Sequence, residues 1–289
     1  MRITILLGQS PREPTPPTLS YPLTAVISDL HGNRPATEVC LADAERRGVE
    51  RFVCLGDVVG YGAEPRACLD AVIAKIEGRE ASETAAALLP GLCLRGNHEE
   101  ALLFSADDFN PKARAAIEWT RDEVGRDPER ADDYWDFIGT LQPSASDERA
   151  MFAHGSPRDP LREYVVPRDI RDSEKMGALF HAMDRGVCFI GHSHVPAVFF
   201  ADGTYFVPRG PEAVHGPYDL GDLEATRAIV NVGSVGQPRD GDPRLSYVLY
   251  DGQNVTFVRI EYDHEAAADA IRAVDELPAF LADRLAAGR

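Results

Sequence analysis

The sequence is poor in basic residues. Its 289 residues include 30 Lys and Arg against 47 Asp and Glu, which gives a formal net charge of −17 at pH 7. Binding along a nucleic-acid backbone needs clustered Lys and Arg that displace counterions. We therefore expect no binding to duplex nucleic acid. An acidic balance of this kind usually serves solubility, and it also attracts divalent cations.

Paired cysteines are also lacking. The five cysteines form no Cys-x-x-Cys pair; they are Cys40, Cys54, Cys68, Cys93 and Cys188. Each lies in an apolar stretch, where cysteine commonly behaves as a small buried hydrophobic residue. The absence of a disulfide framework predicts a reducing compartment.

No apolar run reaches the length of a membrane span. The N-terminal run Ile3–Leu7 is too short for a signal sequence or a transmembrane helix, and nothing downstream reaches membrane-spanning length. We therefore predict a cytoplasmic protein without membrane contact. Its oligomeric state is not indicated by the sequence.

The chain begins with a proline-rich segment and then becomes regular. Residues 1–20 contain four prolines among polar residues, which predicts an extended lead-in, with an edge strand at Ile3–Leu7 as the alternative. Short apolar runs alternate with helical patterns in the first half of the remainder, and hairpin patterns follow in the second half. Residues 21–289 are therefore predicted to form a single α/β domain with a mixed sheet.

Several segments between these runs carry no chemical motif. Residues 100–147 look helical and are predicted to form a helical insert, with Ala113–Val124 and Tyr134–Leu141 as its strongest helices. Residues 78–90 are Ala-rich and predict a helix or a linker. Residues 208–227 are rich in Pro, Gly and acidic residues and predict a long surface loop, and an Ala-rich helix is expected to close the chain.

Metal-ligand side chains follow five of the predicted strands, each at the point where the strand ends. They are Asp29 and His31, Asp57, Asn97 with His98, His154, and His192 with His194. Open α/β sheets place their ligand sites at the carboxyl ends of strands, so these loops are expected to converge. Glycines beside them, at positions 32, 56, 96, 155 and 191, are expected to allow the sharp bends that this requires.

The types of donor indicate the kind of metal. Carboxylate, imidazole and amide groups suit a divalent ion such as Mn, Fe, Zn or Co. Seven strong donors exceed one tetrahedral shell and match two ions that share a bridging group. Two ions about 3.5–4 Å apart would clamp the attacking and leaving oxygens of a displacement and lower the pKa of a bound water. The pair His192 and His194 alone is compatible with packing, one ion or two adjacent ions.

The ordered set of motifs resembles the calcineurin-like metallophosphoesterase superfamily, in its bacterial phosphodiesterase or phosphatase-like branch. The motifs are S-D-L-H-G-N, G-D-V-V-G-Y-G, R-G-N-H-E, H-G and G-H-S-H, followed by N-V-G-S. The resemblance implies a four-layer α/β/β/α sandwich of two mixed β-sheets. It also implies hydrolysis of phosphomonoesters or phosphodiesters by a hydroxide that bridges two divalent ions (Mn, Fe, Zn, Ni or Co).

The resemblance also assigns a role to each donor. One ion would be bound by Asp29, His31 and His194. The other would be bound by Asn97, His154 and His192, with Asp57 bridging the two ions as a catalytic residue. His98 would act as general acid or transition-state stabiliser beside the leaving oxygen.

The stretch from Gly56 to Gly62 departs from the phosphoprotein phosphatases of the superfamily. Their motif G-D-x-V-D-R-G carries an arginine that holds the substrate phosphate, and that arginine is missing here. We predict that Arg158 or Arg239 replaces it. The expected substrate is a phosphorylated small molecule, a nucleotide or a phosphoprotein. The alternative enzyme is a Ser/Thr phosphoprotein or nucleotide phosphatase. The alternative to an enzyme is a catalytically inactive metal-bound scaffold.

Overall fold

The computed structural model describes residues 21–81 and 86–289. The elements follow one another in the order β1 (Thr24–Ile27), α1 (Arg34–Arg46), β2 (Arg51–Cys54), α2 (Pro65–Ile76), β3 (Leu92–Cys93), α3 (Asn97–Leu103), α4 (Pro111–Val124), α5 (Ala131–Thr140), β4 (Ser144–Ser146), β5 (Ala150–Ala153), a 3₁₀-helix (Pro167–Arg171), α6 (Ser173–Ala182), β6 (Val187–Ile190), β7 (Ala197–Phe200), β8 (Tyr205–Phe206), β9 (Val214–Asp219), β10 (Ala228–Asn231), β11 (Leu245–Tyr250), β12 (Asn254–Ile260), α7 (His264–Arg272) and α8 (Phe280–Asp283).

The strands form two mixed sheets of six strands each. The first has the spatial order β3-β2-β1-β11-β12-β9, and the second has the order β4-β5-β6-β10-β7-β8. Each sheet contains three adjacent parallel strands, β3-β2-β1 in the first and β5-β6-β10 in the second. The remaining neighbours are antiparallel. The predicted pair of mixed sheets is confirmed.

Three apolar clusters separate the layers. The cluster between the sheets contains side chains from both, such as Val26 and Tyr250 from the first and Phe152 and Phe189 from the second. The outer face of the first sheet packs against α1, α2, α4, α7 and α8, and the outer face of the second packs against α6. Because both faces of each sheet are covered, the central strands are mostly apolar, as in β6 with its four buried residues. These layers are the predicted α/β/β/α sandwich.

Local signals place the helices close to the strand ends. The Asn33 side chain accepts a hydrogen bond from the backbone N–H of Ala36 at 3.2 Å and so caps α1, directly after the loop that contains His31. Pro65 lies in the first turn of α2, as predicted. The helices predicted at Ala113–Val124 and Tyr134–Leu141 correspond to α4 and α5.

Three predictions need correction and one falls outside the described residues. The helical insert predicted over 100–147 ends earlier, because Ser144–Ser146 form the edge strand β4, which pairs with β5. The prediction of a loop over 208–227 is wrong at Val214–Asp219, because β9 pairs there with β12 at the edge of the first sheet, while 208–213 and 220–227 contain no helix or strand. An edge strand tolerates Pro217, which lacks an N–H, so its composition resembles that of a loop. The chain ends in two helices, α7 and α8, rather than one. The lead-in over residues 1–20, with its alternative strand, lies outside the described residues.

The stretch from 78 to 90 follows the linker alternative where it is described. Residues 78–81 and 86–90 contain no helix. Instead, Arg79 and Leu88 form an isolated antiparallel bridge with N–H···O distances of 2.9 and 2.8 Å.

Among the described residues, no helix is both long and apolar enough to cross a membrane.

Packing between the sheets predicts a large effect of truncating Phe189. Its ring centroid lies 5.7 Å from that of Phe152 in the same sheet and 4.9 Å from that of Tyr250 in the other sheet, and its side chain is fully buried. We expect Phe189→Ala to lower the free energy of unfolding by about 3–5 kcal/mol, because it leaves a cavity between the sheets. Urea denaturation measures this change.

The matched control for this prediction is Phe104→Ala. The Phe104 side chain is 68% exposed, so the same truncation should change the free energy of unfolding by less than about 0.5 kcal/mol. A small effect at Phe189, similar to that at Phe104, would contradict the described packing between the sheets.

Candidate metal centre and active-site cleft

The predicted donors meet at one edge of the sandwich. They follow the parallel strands of both sheets, with Asp29 and His31 after β1, Asp57 after β2, Asn97 after β3, His154 after β5, and His192 and His194 after β6. All are buried except Asn97, which is half-buried. The convergence that the strand ends predicted is therefore present in the structure.

Most of these donors hold left-handed backbone angles. Six non-glycine residues among those described have positive φ, and five are predicted ligands: Asp29 (56°), His31 (51°), Asp57 (53°), His192 (62°) and His194 (59°). Such angles are uncommon for residues with side chains, although Asp and His adopt them more readily than most. The chain therefore turns at the donors themselves, and successive donors do not alternate between faces as they would along a strand.

The neighbouring glycines only partly have the predicted role. Gly32 and Gly56 have positive φ, whereas Gly96, Gly155 and Gly191 do not. A Cβ atom at Gly96 would collide with the carboxylate of Asp57, and one at Gly191 would collide with the Ser28 hydroxyl. These two glycines are needed for space rather than for bending.

The first group of donors consists of Asp29, His31 and His194. One ligand atom from each lies within 4.8 Å of the other two. Nε2 of His194 is 3.1 Å from Oδ1 of Asp29 and 3.2 Å from Nε2 of His31. Oδ1 of Asp29 accepts no hydrogen bond from any described residue, although it is fully buried. A buried carboxylate oxygen without a partner is expected at a cation site.

The second group consists of Asp57, His154 and His192, which also lie within 4.8 Å of one another. Nε2 of His154 is 3.1 Å from Nδ1 of His192 and 3.0 Å from Oδ1 of Asn97. The two histidines of the G-H-S-H motif thus lie in different groups. Oδ2 of Asp57 is 3.4 Å from Nε2 of His154 and 3.7 Å from Nε2 of His31, so this carboxylate lies between the groups.

Backbone carbonyls fix the orientation of the four imidazoles. The ring nitrogen that points away from the centre faces a carbonyl oxygen in each case: His31 Nδ1 and Val59 at 3.2 Å, His154 Nδ1 and Leu55 at 3.1 Å, His192 Nε2 and Arg162 at 3.1 Å, and His194 Nδ1 and Gln237 at 2.5 Å. A carbonyl only accepts, so the outer nitrogen carries the proton and the inner nitrogen presents a lone pair. The inner nitrogens of His31 and His194 lie 3.2 Å apart, and those of His154 and His192 lie 3.1 Å apart. Each pair therefore presents two lone pairs to the same space, which suits a bound cation.

The pKa values of the buried side chains also favour bound cations at the centre. Burial would raise the pKa of Asp57, but the charge and the hydrogen bond of His154 outweigh it and hold this pKa well below its usual range. Burial alone would lower the pKa of His154, but the charge of Asp57 and its hydrogen bond raise this pKa to about 9. Without a metal, the inner nitrogen of His154 would therefore also be protonated, and this positive charge would partly neutralise the buried carboxylates. These residues fit divalent cations, whose binding would release that proton.

His98 lies beside the centre with a different environment. Its side chain is buried, Nε2 is 3.9 Å from Oδ2 of Asp57, and Nδ1 has no hydrogen-bond partner among the described residues. Its ring packs against those of Tyr61 and Phe109, with centroids 4.4 and 5.2 Å away. Burial lowers the pKa of His98 to about 4, although the charge of Asp57 opposes this. The imidazole is therefore neutral at pH 7 and offers one N–H.

Glu99 is a functional residue that the sequence did not reveal. Its carboxylate is fully buried and accepts backbone N–H bonds at 2.8 Å from Gly96, Asp57 and Val58, and at 3.2 Å from Val59. It thereby holds the loops after β2 and β3 together. The only sequence signal was its place in R-G-N-H-E, where an acidic residue suggested no more than a favourable helix start.

The turn of the N-V-G-S motif braces the first donor group. The Ser234 hydroxyl is buried and donates to the backbone carbonyl of Asp29 at 2.8 Å. The Asn231 amide donates to the carbonyl of Gly191 at 2.8 Å and to the Ser193 hydroxyl at 2.9 Å. This turn therefore shapes the loops that carry the donors.

A cleft of about 290 Å³ opens above the centre. Its lining includes five residues of the centre, which are Asp57, Asn97, His98, His192 and His194, together with Tyr61, Glu100, Asp108, Phe109, Arg162, Tyr164 and Arg239. The sequence did not reveal the contributions of Tyr61, Phe109, Arg162 and Tyr164. Only their positions in space, on loops far apart in the chain, bring them to the cleft.

The structure separates the two arginines that were predicted to hold phosphate. Arg239 lines the cleft, donates to the Gln237 side chain at 2.9 Å, and has a buried Nε without a partner among the described residues. Arg158 is not among the residues that line the cleft, and its guanidinium pairs with Glu163 at 2.5 Å. The geometry therefore favours Arg239 and gives no support to Arg158.

Comparisons with known proteins agree with the fold. The model of the calcineurin-like phosphoesterase superfamily domain matches residues 23–255. An uncharacterized protein of Methanocaldococcus jannaschii is 32% identical over 274 residues, which cover 92% of this chain and 98% of that protein.

Two solved structures resemble the whole described architecture. A metallophosphoesterase from Sphaerobacter thermophilus is 34% identical with a TM-score of 0.73, and the match covers 93% of this chain and 100% of that one. A hypothetical protein of Pyrococcus horikoshii OT3 is 18% identical with a TM-score of 0.69, covering 92% and 98%, and this likeness concerns the fold alone. The chain therefore belongs to the calcineurin-like phosphoesterase superfamily, whose members are metal-dependent phosphoester hydrolases.

Proposed function

We propose that this protein hydrolyses a phosphate ester with two divalent ions bound at the base of the cleft. Three groups of possible ligands occur among the described residues, and the third, His31, Asp57 and His98, shares members with the other two. The observation that carries the proposal is that one carboxylate, Asp57, lies between the inward-facing ring nitrogens of the first two groups. The first ion would be held by Asp29, His31 and His194, and the second by Asn97, His154 and His192. Mn, Fe, Zn, Ni and Co all accept this donor set.

The ions would neutralise developing charge and lower the pKa of a water molecule that acts as nucleophile. The protein itself supplies orientation and hydrogen bonds. We assign Arg239 to a phosphate oxygen, because its guanidinium lines the cleft and has no acidic partner among the described residues. His98 is neutral at pH 7 because burial lowers its pKa, so we assign it as a hydrogen-bond donor to the leaving oxygen rather than as a full acid.

The natural substrate is proposed only as a class. Phosphomonoesters and phosphodiesters both fit this chemistry, whether the phosphate belongs to a small molecule, a nucleotide or a protein. We also propose that residues 21–289 act as one functional unit, because the cleft takes its walls from residues between 57 and 239. The five unpaired, buried cysteines support the predicted cytoplasmic location.

Asp57→Asn tests the shared carboxylate. Asparagine keeps the shape of the side chain but removes the charge, so we expect fewer ions per chain and no measurable hydrolysis of p-nitrophenyl phosphate or bis-p-nitrophenyl phosphate. Metal analysis of the purified protein and release of nitrophenolate are the measurements. The control Asp70→Asn makes the same change on an exposed face of α2 and should change neither.

Full activity in the Asp57→Asn protein would contradict the proposed mechanism. A parent protein that binds both ions but hydrolyses no ester would instead favour the inactive scaffold.

His98→Ala separates a donor to the substrate from a metal ligand. We expect turnover of the same aryl esters to fall about 10²- to 10³-fold, because one donor to the transition state is lost, while the metal content stays unchanged. The control His181→Ala removes an exposed imidazole at the end of α6 and should have no effect. Metal loss in proportion to the loss of activity would show that His98 is a ligand instead.

A further inference from the structure

The outer wall of the cleft contains an aromatic ring that the metal centre does not need. The Tyr164 side chain stacks on the His192 imidazole, with ring centroids 3.9 Å apart and planes inclined by 22°. Tyr164 is nevertheless 49% exposed and lines the cleft. One face of the ring thus covers a donor, and the other remains accessible.

The backbone around Tyr164 holds the ring in place. The carbonyl of Arg162 faces Nε2 of His192 at 3.1 Å, which ties this segment to the metal centre. On the other side, the carbonyl of Tyr164 accepts from the Lys175 ammonium at 2.7 Å, and Lys175 also pairs with Asp169 at 2.7 Å. A ring fixed before binding loses little conformational freedom when a ligand stacks on it.

The size of the cleft favours a small substrate. Its volume of about 290 Å³ is close to the lower limit of ordinary small-molecule sites, which is about 300 Å³. A phosphate group at the base leaves room for one ring-sized substituent.

The charges of the outer wall are largely paired. Asp108 pairs with Arg162 at 3.1 Å, and Glu100 pairs with Arg95 at 3.2 Å. Among the described residues that line the cleft, Arg239 has no acidic partner within 4 Å, and it lies near the base beside Tyr61. The wall therefore offers aromatic contacts, from Tyr164 and Phe109, rather than selection for a second charged group.

We propose that the substrate is a small phosphate ester carrying a planar aromatic group, which stacks on the accessible face of Tyr164. The proposal rests on the proposed function, because the phosphate is assigned to the metal centre and Arg239. Tyr164 is then a specificity-determining residue, because its phenol ring recognises the aromatic group of the substrate.

Phosphonates test this proposal without turnover, since their carbon–phosphorus bond is not hydrolysed by a phosphoesterase. Methyl-, cyclohexyl- and phenylphosphonate would be titrated calorimetrically into the manganese-loaded protein, at a pH where all three carry two charges. We expect phenylphosphonate to bind about five- to ten-fold more tightly than cyclohexylphosphonate, because only the planar ring stacks. Methylphosphonate reports on the phosphate site alone.

Variants identify the ring responsible. Tyr164→Leu should reduce the ratio of cyclohexyl to phenyl dissociation constants to about one, whereas Tyr164→Phe should keep it. Tyr205→Leu is the matched control, because Tyr205 is 51% exposed but does not line the cleft, and it should keep the ratio. Metal content is measured in every variant, so that loss of ions is not mistaken for loss of stacking.

The outcomes distinguish this proposal from the one on which it rests. If methylphosphonate binds but phenylphosphonate binds no more tightly than cyclohexylphosphonate, the aromatic specificity is overturned and the phosphate site stands. An unchanged ratio in Tyr164→Leu also overturns the role of Tyr164. If none of the three phosphonates binds to the metal-loaded protein, the assigned phosphate site fails and this proposal fails with it.

Discussion

The centre depends on a backbone constraint at the donors. Asp29, His31, Asp57, His192 and His194 all hold left-handed angles, and strained conformations of this kind cost about 1–3 kcal/mol each. Asp and His lie toward the lower end of that cost. The summed cost at five such residues still approaches the net free energy of unfolding of a typical domain, about 5–15 kcal/mol. The surrounding structure must therefore stabilise these loops strongly.

Buried hydrogen bonds between the loops provide much of that stabilisation. The backbone N–H groups of Asp29 and His31 donate to the carbonyls of Gly56 and Asp57 at 3.0 and 2.9 Å, which joins the loops after β1 and β2. Glu99 accepts four N–H groups from the loops after β2 and β3. Because these contacts are buried and the parallel strands fix the loop ends, the donors are held in place before any ion binds.

The sequence predicted the parts that depend on local pattern and ordered motifs. Apolar runs followed by donors located the strand ends, and the motif order indicated the two-sheet fold and the donors of both groups. The edge strand β9 was missed because Gly216 and Pro217 resemble a loop and only pairing with β12 stabilises them. Glu99 and Tyr164 were missed because their contacts join loops distant in sequence, which no local pattern encodes.

The position of the metal ions is the most direct test of this account. A crystal of the manganese-loaded protein, measured with anomalous scattering at the manganese absorption edge, locates the ions without reference to the protein model. We predict two peaks about 3.5–4 Å apart on either side of Asp57, one bound by His194 and the other by His192. A single peak coordinated by both imidazoles would contradict the assignment of His192 and His194 to different ions.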